Sequence, residues 1–403
     1  MTSWSLEPPE LVITDVCLVD HRGVRAGGWL AIGGDRIVET GSGDIPWALR
    51  QLPMLSGCGD WLAPGLIDAH CHGALGVDFA HADASDAPRA VHHHAIHGTT
   101  RLMASVTCDL DPAAALISAR HRLGGLAGII GVHLEGPFIN YDHAGALDRA
   151  AIRMPEPGLV TDLSDAINGL PTSITIAPEL PGGLSALDLL ASSGATVMIG
   201  HSGCSYDEAR LALDVGAVGL THAFNAMPPI RAREPGPVLA AIDHQHAILE
   251  LILDGKHLDD RTAAFLFECA PSRIALVSDC SPYVGLPAGT IQDSSRGQHL
   301  VTEDAVLLDG GILAGSTLTL DRAVRRAIQE LKVEPAAAVA AVTRTPAELL
   351  GIDDRLGTLK AGMIADLVTF DQDWRVTRVW RAGERCTDAA VEASEGGVPC
   401  ASV

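Results

Sequence analysis

The chain has 403 residues, and its 28 Lys and Arg face 50 Asp and Glu, a formal net charge of −22. An acidic surface repels phosphate backbones and anionic lipid, and 4% aromatic residues give few base-stacking platforms, so neither nucleic acid nor membrane is an expected partner. Apolar residues at 47% and a mean hydropathy of +0.22 exclude a disordered chain, and no run of roughly 20 apolar residues is present to span a bilayer.

The opening residues, MTSWSLEPPE, lack the basic start and apolar run of a signal peptide. Nine cysteines at scattered positions, with no C-x-x-C, do not suggest a disulfide framework. A cytoplasmic location is the expectation. Leu11–Asp20 and Trp29–Val38 read as strands, punctuated by Gly27, Gly28, Gly33 and Gly34.

From residue 64 to 279 the rhythm changes. Eight short apolar runs follow: Gly65–Ala69, Thr100–Thr107, Ile129–His133, Ser173–Ala177, Thr196–Gly200, Val218–His222, Ile248–Leu253 and Ile274–Ser278. Helix-like stretches lie between them, such as Pro112–Leu123, Ser185–Ser193, Ser205–Val215 and Asp259–Cys269. Strands alternating with helices imply a parallel sheet, and eight such units imply a closed (β/α)₈ barrel. Ala365–Phe370 and Arg375–Arg381 return to the strand texture of the start. The expected class is therefore α/β: a barrel over 63–356, a small β-sandwich built from 1–62 and 357–386, and a loose tail over 387–403.

In such a barrel the chemistry sits at the C-terminal ends of the strands. The first run ends in Asp68-Ala69-His70-Cys71-His72, where alternation points His70 and His72 to one side. The third ends at Glu135, the fifth at His201, the sixth at His222 and the eighth at Asp279. Each alone could be a cap or a buried structural histidine. Together they gather imidazole and carboxylate donors at one mouth, a set suited to Zn²⁺ or Fe²⁺. A bound metal brings the pKa of water down to about 7, and a nearby carboxylate can shuttle its proton. The expectation is a metal-dependent hydrolase.

The segments Ala63-Pro64-Gly65-Leu66-Ile67-Asp68-Ala69-His70-Cys71-His72-Gly73 and Gly131-Val132-His133-Leu134-Glu135-Gly136-Pro137-Phe138 resemble the amidohydrolase superfamily. Thr221-His222-Ala223-Phe224-Asn225-Ala226-Met227-Pro228 with Arg233-Glu234-Pro235-Gly236 resembles the N-acetylglucosamine-6-phosphate deacetylases more narrowly. Asp254-Gly255-Lys256-His257 and Leu313-Ala314-Gly315-Ser316-Thr317-Leu318-Thr319 match the same family, and the likeness runs over about 10–386.

The resemblance implies that Glu135, His201 and His222 hold the main cation. It implies a second cation on His70 and His72, giving one or two divalent metals per subunit, zinc before iron. Asp279 would be the general base and acid and could also touch the metal. Asn225, the amide of Ala226, Arg233 and His257 would take the phosphate of a small amino-sugar substrate, partly across a homodimer interface. Ala146, Leu147, Leu313, Ala314 and Gly315 would line the sugar pocket.

One departure stands out. The family commonly has His or Gln where this chain has Leu147, and Leu147 cannot hydrogen-bond. His143, four residues earlier, could serve in its place if the loop differs. Three readings follow: a deacetylase of N-acetylglucosamine 6-phosphate, an amidohydrolase for another N-acyl compound, and a silent sugar-phosphate-binding barrel.

Overall fold

The computed structural model describes residues 7–107, 111–167, 169–294 and 297–386, so the expected tail at 387–403 lies outside the described residues. The chain divides into two compact units, one of Met1–Ile67, His94–Arg101 and Leu320–Val403, the other of Asp68–His93 and Leu102–Thr319. No helix among the described residues is long and apolar enough to cross a membrane.

Among the described residues, eight parallel strands form the barrel sheet: Leu66–Cys71, Thr99–Thr107, Ile129–Glu135, Thr172–Ile176, Thr196–Ile199, Gly219–Leu220, Ile248–Ile252 and Ile274–Val277. They stand side by side in chain order, as the alternation of strand and helix requires. The strand Ile274–Val277 is buried throughout, and nearly all of its neighbours' residues are too, which is why they read as apolar runs rather than alternating ones. The ring closes just beyond the first and last strands. The amide of Asp279 donates to the carbonyl of His70 at 2.9 Å, and that of His72 to the carbonyl of Cys280 at 3.1 Å.

Helix starts follow local rules. Asp111 caps Pro112–Leu123 by accepting from the Ala114 amide, with proline in the first turn. Ser205 and Glu208 form a capping box at Tyr206–Val215, and Asp259 caps Asp260–Cys269. Three of the expected helices thus begin where Asp or Ser places them, whereas the one expected over Ser185–Ser193 runs Gly183–Ser192 behind Gly182 with no side-chain cap.

The first unit pairs both chain ends into one continuous sheet of eight strands among the described residues, Leu11–Asp20 and Gly23–Gly33 against Leu367–Phe370 and Val376–Arg381 by way of Trp61–Pro64. The run expected over Trp29–Val38 is split by a tight hairpin into Gly23–Gly33 and Arg36–Ser42, because Gly34 turns at φ +55°. Both faces carry apolar clusters. Ile13, Leu18, Leu30, Ile32, Leu62 and Trp380 pack on one, and Val12, Trp29, Ala31 and Leu49 form the other.

A further antiparallel sheet, Ile291–Ser294, Gly297–Val301, Ala305–Leu308 and Ile312–Ser316, follows the eighth barrel strand and was not anticipated from the sequence. It delivers Leu313–Gly315 to the cavity described below. Gly315 has φ +82°, and a Cβ there would meet the Ser281 amide and the Asp279 carbonyl at 3.1 and 3.2 Å. Only glycine lets this strand pass so close.

A half-buried ion pair in the first unit has an added anchor. Asp366 accepts from Arg101 at 2.6 and 3.0 Å and from the Ala382 amide at 2.7 Å. Asp366→Ala leaves a guanidinium and an amide without their acceptor, so a loss of about 3–5 kcal/mol is expected. A thermal melt within about a degree of wild type would show the pair to be dispensable.

Candidate metal centre

Five strand ends supply the side chains. Glu135 is the last residue of its strand, while His201, His222 and Asp279 each lie two residues beyond theirs. Those three residues have positive φ, +47°, +32° and +41°. Non-glycine residues avoid that region at a cost of order 1–3 kcal/mol each, and such strain gathers at functional sites. The extended stretch at His70 and His72 brings their Nε2 atoms to 3.1 Å.

Glu135 is the hub. Its Oε1 lies 3.1 Å from His201 Nε2, 3.2 Å from His222 Nε2 and 3.6 Å from His70 Nε2, and its Oε2 lies 3.4 Å from His72 Nε2. Asp279 Oδ1 sits 3.4 Å from His70 Nε2 and 3.3 Å from His72 Nε2. Two donor groups, His70–His72–Glu135 and Glu135–His201–His222, each gather their atoms within 4.8 Å.

The protons reveal the purpose of this packing. His201 Nδ1 lies 2.8 Å from the carbonyl of His143, which can only accept, so that nitrogen carries the proton. In the neutral ring Nε2 is then a lone pair, and it faces the Glu135 carboxylate and His222 Nε2 at 3.1 Å. Acceptors facing acceptors in a buried site are reconciled by a proton or a metal cation between them. The donor set fits a divalent metal.

The local field agrees. Burial alone would lower the pKa of His70, but the charges of Asp279 and Glu135 raise it to about 9, and His72 rises for the same reason. Burial would raise Glu135, yet His201 and His222 hold it well below the carboxylate range. Asp279 is likewise depressed against its burial, by His70 and His72. A site that stabilises protons on histidines stabilises a metal cation in their place.

His133 lies two residues before Glu135 but is not a donor to this centre. Its two ring nitrogens sit 2.9 Å from Ser105 Oγ and Thr175 Oγ1, and burial keeps its pKa well below the usual value.

A cavity of about 780 Å³ opens over the centre. Ala146, Leu147, Asn225, Ala226, His257, Leu313, Ala314 and Gly315 all line it, with Asp279 and His72. His257 Nδ1 pairs with Asp254 Oδ2 at 2.6 Å. Burial would lower the His257 pKa, but Asp254 outweighs it and raises it. Arg233 is exposed and does not line the cavity. The neighbouring Glu234 pairs with Arg231 at 3.1 Å. His143 does not replace the polar group missing at Leu147, because its ring lies over Gly203 and only its carbonyl serves the site.

Two carboxylates were not singled out from the sequence. Glu179 accepts from Ser202 Oγ at 2.7 Å, the Gly203 amide at 2.5 Å and Asn140 Nδ2 at 2.9 Å, tying the loop after His201 to the loop after Glu135. Glu250 is 3% exposed inside an apolar strand. An acid in a buried run was its signal.

His201→Ala and His222→Ala are each expected to lose the bound cation, since a three-donor site does not survive removal of one strong donor. Metal analysis of the purified variants checks this, and a stoichiometric metal content in either removes that residue from the donor set.

The amidohydrolase family profile matches residues 61–386. The N-acetylglucosamine-6-phosphate deacetylase of Vibrio furnissii is 33% identical over 82% of this chain and 84% of its own length. The N-acetylgalactosamine-6-phosphate deacetylase of Escherichia coli O157:H7 is 34% identical over 80% and 87%. A structure of a point mutant of the Mycobacterium smegmatis N-acetyl-D-glucosamine-6-phosphate deacetylase, in complex with N-acetyl-D-glucosamine-6-phosphate, superposes with a TM-score of 0.86 at 32% identity, covering 94% of this chain and all of that one. The chain belongs to the amidohydrolase family, within its N-acetylglucosamine-6-phosphate deacetylase branch.

Proposed function

We propose that the chain hydrolyses the acetamide of N-acetyl-D-glucosamine 6-phosphate to the free amine and acetate. The observation that carries this reading is the meeting of Glu135, His201, His222, His70 and His72 with Asp279 at the floor of a cavity whose wall holds Asn225, Ala226 and His257. Relatives named for the gluco and the galacto substrate both lie at similar identity, so the epimer is set by the pocket and belongs in the assay.

In this reading Glu135, His201 and His222 hold the main cation and His70 and His72 a second. A divalent metal there, zinc by its donor set, supplies Lewis acidity and lowers the pKa of water toward about 7. Asp279, held ionised by its surroundings, takes a proton from the attacking water and returns it to the nitrogen as the C–N bond breaks. His257 and the amide of Ala226 bind the phosphate, with Asn225. Arg233, exposed and away from its own cavity, serves the phosphate of a second copy, so the working unit is a homodimer.

Asp279→Asn is expected to keep its metal and lose about 10²–10⁴ in kcat on N-acetylglucosamine 6-phosphate, because an amide cannot accept the proton. An unchanged kcat removes Asp279 as the base. If wild type turns over no N-acetylhexosamine 6-phosphate but accepts longer N-acyl groups, Leu147 in the cavity wall marks a change of substrate.

A second expectation concerns pH. The folded pKa of His257 is raised, so its imidazolium persists above the usual value and is lost only as pH climbs through the raised one. KM for the phosphorylated substrate should therefore rise on the alkaline side, while the unphosphorylated sugar shows no such rise. Asp254→Asn removes the raising charge and should bring that onset to lower pH. Parallel profiles for the two sugars would take His257 away from the phosphate.

A further inference from the structure

Glu250 is a buried carboxylate that the chemistry above leaves without a task. It lies in the strand Ile248–Ile252, between Leu249 and Leu251, and is 3% exposed. An ionised carboxylate in such a place persists only with partners. Its Oε2 accepts from the amide of His222 at 3.4 Å and stands 3.7 Å from Nδ1 of His70.

That nitrogen is the telling one. His70 Nε2 faces Glu135, Asp279 and His72, so a cation bound by His70 is bound through Nε2. The ring proton then sits on Nδ1, which is buried and has no other hydrogen-bond acceptor among the described residues. The ring cannot swing away to find one. His133 packs edge-on against it at 4.4 Å, and His133 is itself pinned by Ser105 and Thr175. Histidine ligands as a rule donate their second N–H to a carboxylate or carbonyl, which fixes the tautomer and aims the ring.

We propose that Glu250 is a positioning residue that accepts the Nδ1 proton of His70 and the amide proton of His222 on one oxygen. One side chain thereby sets the ring of a donor in one group and the strained backbone of a donor in the other. The proposal rests on the cation centre described above. It assigns Glu250 an orienting role, which is separate from the extra negative charge it brings.

Two conservative variants divide those roles. Glu250→Gln keeps an oxygen at the same reach and removes the charge. Glu250→Asp keeps the charge and withdraws the oxygen by one methylene. The probe is zinc. Each purified protein is loaded with zinc and challenged with rising chelator, and retained zinc per chain is read by atomic emission. Wild type is expected to hold two zinc ions per chain in two steps. Glu250→Gln should follow the wild-type curve closely. Glu250→Asp should release the weaker zinc at about ten- to hundredfold lower chelator concentration. In a His70→Ala background the difference between the two variants should shrink to whatever the His222 amide contact contributes, since the ring they orient is gone.

The reverse pattern, with the Gln variant weak and the Asp variant wild-type, would make Glu250 a charge-balancing group and overturn the proposal. Equal curves for all three proteins would overturn it too. So would a wild type that holds a single zinc, even if it deacetylates the sugar phosphate. Loss of deacetylation with two zinc ions retained would instead count against the substrate reading alone.

Discussion

Four imidazole nitrogens press on one carboxylate. Glu135 has no direct hydrogen-bond partner of fixed type, because at least one of its neighbours, His201, must spend its proton elsewhere. The arrangement is unstable as a set of neutral rings and an anion, and stable around a positive charge. Much of the barrel mouth follows from that need. Asp279 and Glu135 lift the basicity of His70 and His72 against a burial that would suppress it. His133, a ring away, is kept neutral by burial, and two hydroxyl partners hold its ring nitrogens. The fold thus separates histidines whose basicity nearby carboxylates raise from one that burial keeps neutral.

The scaffold meets this demand through its backbone. His201, His222 and Asp279 all leave their strands in the left-handed region, where an L residue is strained. Strain of that kind persists only when neighbours over-determine it. Glu179 holds the chain after His201 with its bonds to Ser202 and Gly203, and the Asp279 amide is fixed by the His70 carbonyl. The last of these also closes the barrel. Closing the ring and placing Asp279 are therefore one event, and a defect in either would appear in both.

The sequence was most legible where one local rule decides. Buried strands appeared as apolar runs, and helix starts as Asp or Ser before the first turn. Donors could be picked at strand ends because a barrel brings those ends together wherever they fall in the chain. Legibility failed where a long-range contact decides. The sheet Ile291–Ser316 has short, half-exposed strands, and its role depends on Gly315 passing beside Asp279. Nothing local could show that His143 serves His201 through its carbonyl rather than its ring. Glu250 was hidden for the opposite reason. It sits in the middle of an apolar run, and the run itself drew the attention.

A phosphate dianion entering this cavity meets an unusual field. The chain carries a net charge of −22, and among the described residues no Lys or Arg lines the wall. Four carboxylates do: Asp78, Glu135, Asp148 and Asp279. Attraction cannot come from the global field, which opposes it. It must come from short-range positive charge and oriented donors within the cavity. In the reading given above, these are the cations at the floor and His257, whose positive form Asp254 favours. The cation at the centre is then required for binding as well as for chemistry. Stripping it would expose the phosphate to unscreened carboxylates, so KM and kcat are linked through one charge. A guanidinium from a second copy would relieve that dependence by supplying positive charge to the phosphate.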